Sequence, residues 1–262
     1  MPEIAENKAL RAITDWWREI GMEPDAGLMR AMEAVSARNS APPAPSPRRK
    51  AAHRSTDDWV AEARQLAGAA GDMDALVAAI AGFEGCPLKQ GAQNTVVYDG
   101  VPHSAVMVIG EGPGAQEDAS GKPFVGRAGQ LLDRMLAAIG LSRQSNTLIT
   151  NVNYWRPPGN RNPEKDELAV CRPFVDRMVE INAPKLIIAA GGVPTQALMA
   201  SRNGIMKLRG TEQVLTTPGG FSAPLFPIFH PAFLLRRPQE KSRAWRDLLR
   251  IEQRLQELGG AD

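Results

Sequence analysis

The 262-residue chain is poor in cysteine, histidine and tyrosine, with two, three and two of them. Cysteines as few and as far apart as Cys86 and Cys171 exclude a disulfide-dense scaffold and a CxxC metal knuckle, and they make a reducing compartment the expected setting. A dominant charge is also missing, because 31 Lys and Arg stand against 29 Asp and Glu for a formal charge of +2. A uniformly basic coat is excluded, so any affinity for nucleic acid must come from local clusters. No window approaches eighteen consecutive apolar residues, and the N-terminus carries acids from Glu3 onward where a leader would be basic and then apolar. A cytoplasmic protein without membrane contact is expected. What is present is 43% hydrophobic and 23% charged content, which fits one ordinary domain with a sizeable core plus an appendage.

Leu10, Ile13, Trp17 and Ile20 recur at three- and four-residue intervals, so residues 4–21 read as an amphipathic helix within an N-terminal extension, residues 1–36. Residues 37–54 carry Arg38, Arg48, Arg49, Lys50 and Arg54 without an acid, in a Pro/Ala/Ser run that builds neither helix nor central strand. This basic linker is either a solvated tether or a phosphate contact. Residues 55–262 form the main domain. Ser55-Thr56-Asp57-Asp58 is an N-cap signature, and 73–83 continues with helical period. Strands are then predicted at Ser104–Ile109, Leu148–Val152, Lys185–Ala190 and Leu225–Phe229. Helices are predicted at 127–139, at 163–182 with Asn162 as cap and Pro163 in the first turn, at 193–200 and at 239–258. This alternation predicts an α/β fold with a central, mostly parallel sheet covered on both faces.

In such a sheet the working loops follow the carboxyl ends of the strands: Gly110–Arg127, Asn151–Arg161, Gly191–Pro194 and His230–Arg237. Gly110-Glu111-Gly112-Pro113-Gly114 lets the backbone turn sharply and approach a ligand. It lacks the G-x-x-x-x-G-K-[ST] pattern, and Glu111, Glu117 and Asp118 would repel a phosphate, which argues against a nucleotide-binding enzyme. A carboxylate on such a turn suits positioning water or stabilising a cation. Phe124, between Pro123 and Val125-Gly126, either fills a core or presents its ring face. Asn151 is either a turn residue or an amide able to read a base edge. His230 is either structural or a donor to a leaving group.

Several segments, in order over about residues 80–250, resemble the motif series of family 4 uracil-DNA glycosylases. They are Gly110–Asp118, Gly121–Asp133, Ile149–Val152 with Arg156–Arg161, Leu208-Arg209-Gly210, and His230–Arg236. The resemblance implies a three-layer α/β/α fold, excision of uracil from DNA by cleavage of its N-glycosidic bond with base flipping, no cofactor in the chemistry, and a monomer. Its partners would be uracil-containing DNA and free uracil as product. It assigns Glu111 to water and the sugar cation, His230 to the departing uracil, Phe124 to stacking and Asn151 to the base edge. Gly112 and Asp118 would add contacts to uracil, and Glu117 would crowd the methyl of thymine. Arg209, Leu234, Leu235 and Arg236 would face DNA, the leucines as a wedge. The family's [4Fe–4S] cluster takes four cysteines, whereas here Phe83 and Trp155 stand where two of them would be, so no cluster is expected. A catalytically inactive damage-binding protein on the same fold is the alternative.

Overall fold

Short, mostly apolar runs give the sheet its inner strands, and two short edge strands complete it: β1 (Tyr98–Gly100), β2 (Val106–Gly110), β3 (Thr147–Asn151), β4 (Leu186–Ala190), β5 (Gln213–Thr216) and β6 (Ser222–Ile228). The helices are α1 (Thr56–Ala69), α2 (Met73–Gly82), α3 (Ala115–Ser120), α4 (Arg127–Ala137), α5 (Lys165–Asn182), α6 (Gly192–Met199), α7 (Ile205–Leu208), α8 (Pro231–Arg236) and α9 (Lys241–Glu257). This computed structural model describes residues 54–199 and 203–261 together with Arg30. The expected N-terminal helix and the basic linker up to His53 lie outside the described residues, and the chain divides into Met1–His53 and Arg54–Asp262.

The strand order is β1-β3-β2-β4-β6-β5. The inner strands β3, β2, β4 and β6 run parallel, and the edges β1 and β5 pair antiparallel to β3 and β6. β2, β3 and β4 are buried along their whole length, as a sheet covered on both faces requires. Alternate residues of β2 divide between two cores. Met107 and Ile109 pack with Ala63 of α1, Leu76 and Ile80 of α2, and Val175 and Met178 of α5. Val106 and Val108 pack with Leu132 and Leu136 of α4 and Leu248 and Ile251 of α9. Each fully buried Val, Ile or Leu of this kind contributes about 1.5–3 kcal/mol. The result is the expected three-layer α/β/α arrangement. Among the described residues no helix is long and apolar enough to cross a membrane.

Some boundaries differ from expectation for identifiable reasons. α5 starts at Lys165 under a Glu164 cap, not at Pro163 under Asn162. Glu167 causes the shift, because its carboxylate accepts from the Glu164 amide (2.7 Å) and pairs with both ends of the Arg161 guanidinium (2.8 and 2.6 Å). α3 and α8 occupy segments expected to be loops. α3 is hidden in sequence by its glycine ends, Gly114 as N-cap and Gly121 at φ 74 as C-cap. β1 and β5 were not expected, being only three and four residues long.

The chain leaves β2 to build β3 on one side and later β4 on the other. The connections therefore diverge at the carboxyl end of β2, where Gly110 lies in register with Asn151. A crevice at that switch point is where a ligand finds loops from both halves.

Candidate active site

Gly110 closes β2 with no room for a side chain, since an added Cβ would lie 2.5 Å from both the Phe124 ring and Asn151 Oδ1. Phe124 and Asn151 therefore converge over bare backbone. Asn151, 1% exposed at the end of β3, has a buried Oδ1 with no hydrogen-bond partner. A desolvated amide oxygen left open is costly, and a donor supplied by a ligand would relieve it. Phe124 is 6% exposed and holds a left-handed backbone, φ 54. Its ring lies nearly parallel to that of His230, with centroids 5.7 Å apart and 29° between planes.

His230 caps α8, and its Nδ1 accepts from the Ala232 amide at 3.1 Å. The ring proton therefore sits on Nε2. Burial, aided by the positive charge of Arg236 and opposed by Glu117, lowers the His230 pKa to about 4. At neutral pH the ring is an uncharged donor. Gly191, at φ 116, lets the loop after β4 pass close behind it, because a Cβ there would come within 3.2 Å of the His230 Cβ. On the loop after β2, burial raises the Glu111 carboxyl above its ordinary range.

Glu111, Gly112, Glu117, Phe124, His230 and Arg236 line one cavity of about 520 Å³, a size in the range of small-molecule sites, about 300–1,000 Å³. Pro157 and residues 160–163 form another wall, and neither lysine nor cysteine lines it. A larger cavity of about 670 Å³ shares Asn162 and Pro163 but offers only Lys165 and Arg172 as charged groups, so it lacks the means for acid–base chemistry.

The remaining expected site residues are placed differently from one another. Glu117 uses both carboxylate oxygens on backbone amides, those of Gly114 (3.1 Å), Val125 (3.0 Å) and Gly126 (2.9 Å). It clamps the glycine turn to the Phe124 loop. Asp118 does not line the cavity, as its Oδ1 accepts from the amides of Gln93 and Asn94 at 2.8 and 3.2 Å and it fastens that loop to α3. Arg209, expected at DNA, is committed to the fully buried Asp247 by two bonds of 2.9 and 2.5 Å. Leu234, expected on the wedge, is 1% exposed and packs in the core beneath α8. Leu235 is partly exposed and packs against the same core, and Arg236 is exposed. Asn162 and Pro163 were read as a helix start and not as pocket wall. The positive φ of Gly159 (64) and Asn160 (56) turns the chain there, and the Pro-Gly-Asn run was the available signal.

Cys86 and Cys171 are buried; Cys171 Sγ donates to Asn153 Oδ1 at 3.8 Å, and the neighbouring Cys86 together with burial pushes the Cys171 thiol well above its ordinary value. Phe83 and Trp155 are buried in the same core. Phe83 meets Phe174 (5.2 Å) and Trp59 (5.9 Å) edge-on, and Trp155 Nε1 donates to Thr95 Oγ1 at 3.0 Å. Among the described residues no three His, Cys, Asp or Glu side chains are grouped to hold a metal. Two thiols beside packed aromatic rings do not fit a four-thiolate iron–sulfur cluster.

The sequence model described as the uracil DNA glycosylase superfamily matches residues 97–249. A type-4 uracil-DNA glycosylase of Sulfurisphaera tokodaii is 38% identical over 173 residues, 64% of this chain and 78% of that protein. The type-4 uracil-DNA glycosylase of Pyrobaculum aerophilum is 36% identical over 180 residues, covering 68% and 91%. That of Thermotoga maritima is 38% identical over 159 residues, covering 60% and 80%.

Proposed function

The chain belongs to the uracil DNA glycosylase superfamily, and on that premise we propose that it hydrolyses the N-glycosidic bond of deoxyuridine in DNA and releases uracil. A stacked base cannot reach a recessed cavity, so the nucleotide is extruded, at a cost of a few kcal/mol that is smallest at a mismatch. The partly exposed Leu235 and the exposed Arg236 of α8 hold the opened duplex through a wedge and a phosphate contact. Uracil then stacks on Phe124, and its N3–H donates to the open Oδ1 of Asn151 while the Asn151 amide donates to O4. Glu117 faces C5, and because three backbone amides fix its carboxylate, a thymine methyl cannot push it aside.

Glu111 orients water toward C1′ and stabilises the cationic sugar as the C1′–N1 bond breaks. The neutral His230 donates Nε2–H to O2 of the departing uracil anion. The water oxygen bonds to C1′, and the proton it loses balances the uracil anion. No lysine lines the cavity to form a Schiff base, so water is the nucleophile and the strand is left unbroken at an abasic site. One chain supplies every group, which supports action as a monomer. No iron–sulfur cluster takes part, a reading supported by the packing of Phe83 and Trp155 in one core with the two cysteines.

The observation that carries this reading is the buried, unpartnered Asn151 Oδ1, which converges with the Phe124 ring over Gly110. Asn151→Ala should lower single-turnover uracil excision on the order of 10²-fold or more, since a site built to bond a base edge loses its discrimination without that bond. Binding to undamaged duplex should be unchanged. Excision by Asn151→Ala at the wild-type rate would refute the assignment.

A further inference from the structure

We infer that Arg143 is a positioning residue for Phe124, holding its ring where an extruded base must stack; the inference rests on the glycosylase reading. Arg143 lies in the turn between α4 and β3, outside the cavity, and is 9% exposed. Its Nη2 donates to the Phe124 carbonyl at 2.9 Å and its Nη1 to the Pro123 carbonyl at 3.1 Å. Behind it, Nε donates to Asp133 Oδ1 at 2.8 Å and Nη1 to Asp99 Oδ2 at 2.9 Å. One planar fork thus joins two successive carbonyls of the Phe124 loop to two carboxylates on other elements.

That grip matters because Phe124 is an aromatic residue at φ 54, a backbone region that such residues hold only under constraint. The amides after Phe124 are already taken by Glu117, and a Cβ on Gly129 would overlap the Phe124 carbonyl. Arg143 supplies the remaining anchor, on the carbonyl side. Without it the loop can relax to an ordinary φ, and the ring swings away from Gly110 and Asn151. A lysine could keep charge near Asp99 and Asp133, but its single ammonium cannot span both carbonyls and both acids.

The test is a double-mutant cycle on single-turnover release of uracil from a U·G duplex, with Arg143→Lys as the fold-preserving variant beside Arg143→Ala. Each should be slower on the order of 10²-fold, as a misplaced binding group costs. In a Phe124→Ala background neither should add a further loss, because Arg143 acts only through the ring. Losses that multiply in the double variant, or Arg143→Lys working at the wild-type rate, would overturn the inference. Amide hydrogen exchange over residues 121–129 gives a readout independent of chemistry, and it should accelerate in Arg143→Lys. Unchanged exchange would overturn the inference even for an active enzyme. Absence of uracil release by the wild type would overturn the glycosylase reading alone, leaving exchange to decide the role of Arg143.

Discussion

Glu111 and His230 share one cavity, and burial moves each toward its neutral form, raising the carboxylic acid and lowering the imidazole to about 4. The proposed chemistry needs Glu111 ionised and His230 neutral. Excision should therefore fall as pH drops through the raised Glu111 pKa, with His230 protonation adding only near 4. Glu111→Gln and His230→Ala should each slow single-turnover excision by about 10²-fold or more, and Glu111→Gln should lose the upper part of the acid limb. A full wild-type acid limb in Glu111→Gln would contradict the assignment. Stability follows the same groups. His230 titrates at its ordinary 6.5 when unfolded and about 4 when folded, so the unfolded chain binds more protons between those values. Its contribution is complete above 6.5 and is lost as pH falls toward 4. At this scale Glu111, Asn151 and His230 were legible because each sits at the carboxyl end of a strand or just beyond it, and Phe124 because it lies on the long connection that follows β2. Arg143 was not, since a lone arginine in a turn carries no pattern. Arg209 and Leu234 were misjudged because a motif does not state which way a side chain faces, and both turn inward.

Among the elements, the end of β3, the start of α5 and the segment after α2 bring Trp155, Cys171, Phe83 and Cys86 into one core. The small number of cysteines was readable from the sequence, whereas the bonding around Phe83 and Trp155 was not. It depends on Thr95, Trp59 and Phe174, residues without any metal-related spacing. The purified protein is expected to be colourless and iron-free, and Cys86→Ala with Cys171→Ala should leave excision near the wild-type rate. Metal analysis and a visible absorption spectrum check this. Stoichiometric iron, or unfolding under an iron chelator, would contradict it. The inner strands were legible as short, mostly apolar runs. The edge strands β1 and β5 were not, because they are stabilised by pairing with β3 and β6 and their own sequence shows no periodicity.

In the molecule as a whole, the loop after β2 and the end of β3 meet over Gly110, and the loops after β4 and β6 meet at Gly191 and His230, at the carboxyl ends of the strands where the strand order switches sides. Alternation of strand and helix was enough to predict that architecture and the end of the sheet at which the cavity lies. The cavity itself was not foreseeable, because its wall at residues 157–163 depends on a turn through left-handed backbone and on the Arg161–Glu167 pair that delays α5. The most direct measurement is a product analysis after one turnover on a U·G duplex, quantifying the free base and the state of the strand. Free uracil should appear together with an intact strand bearing an abasic site, and the same duplex with cytosine or thymine in place of uracil should give none. An intact deoxyuridine after prolonged incubation would contradict the proposed activity and favour a binding protein on this fold, and strand scission in step with base release would contradict water as the nucleophile.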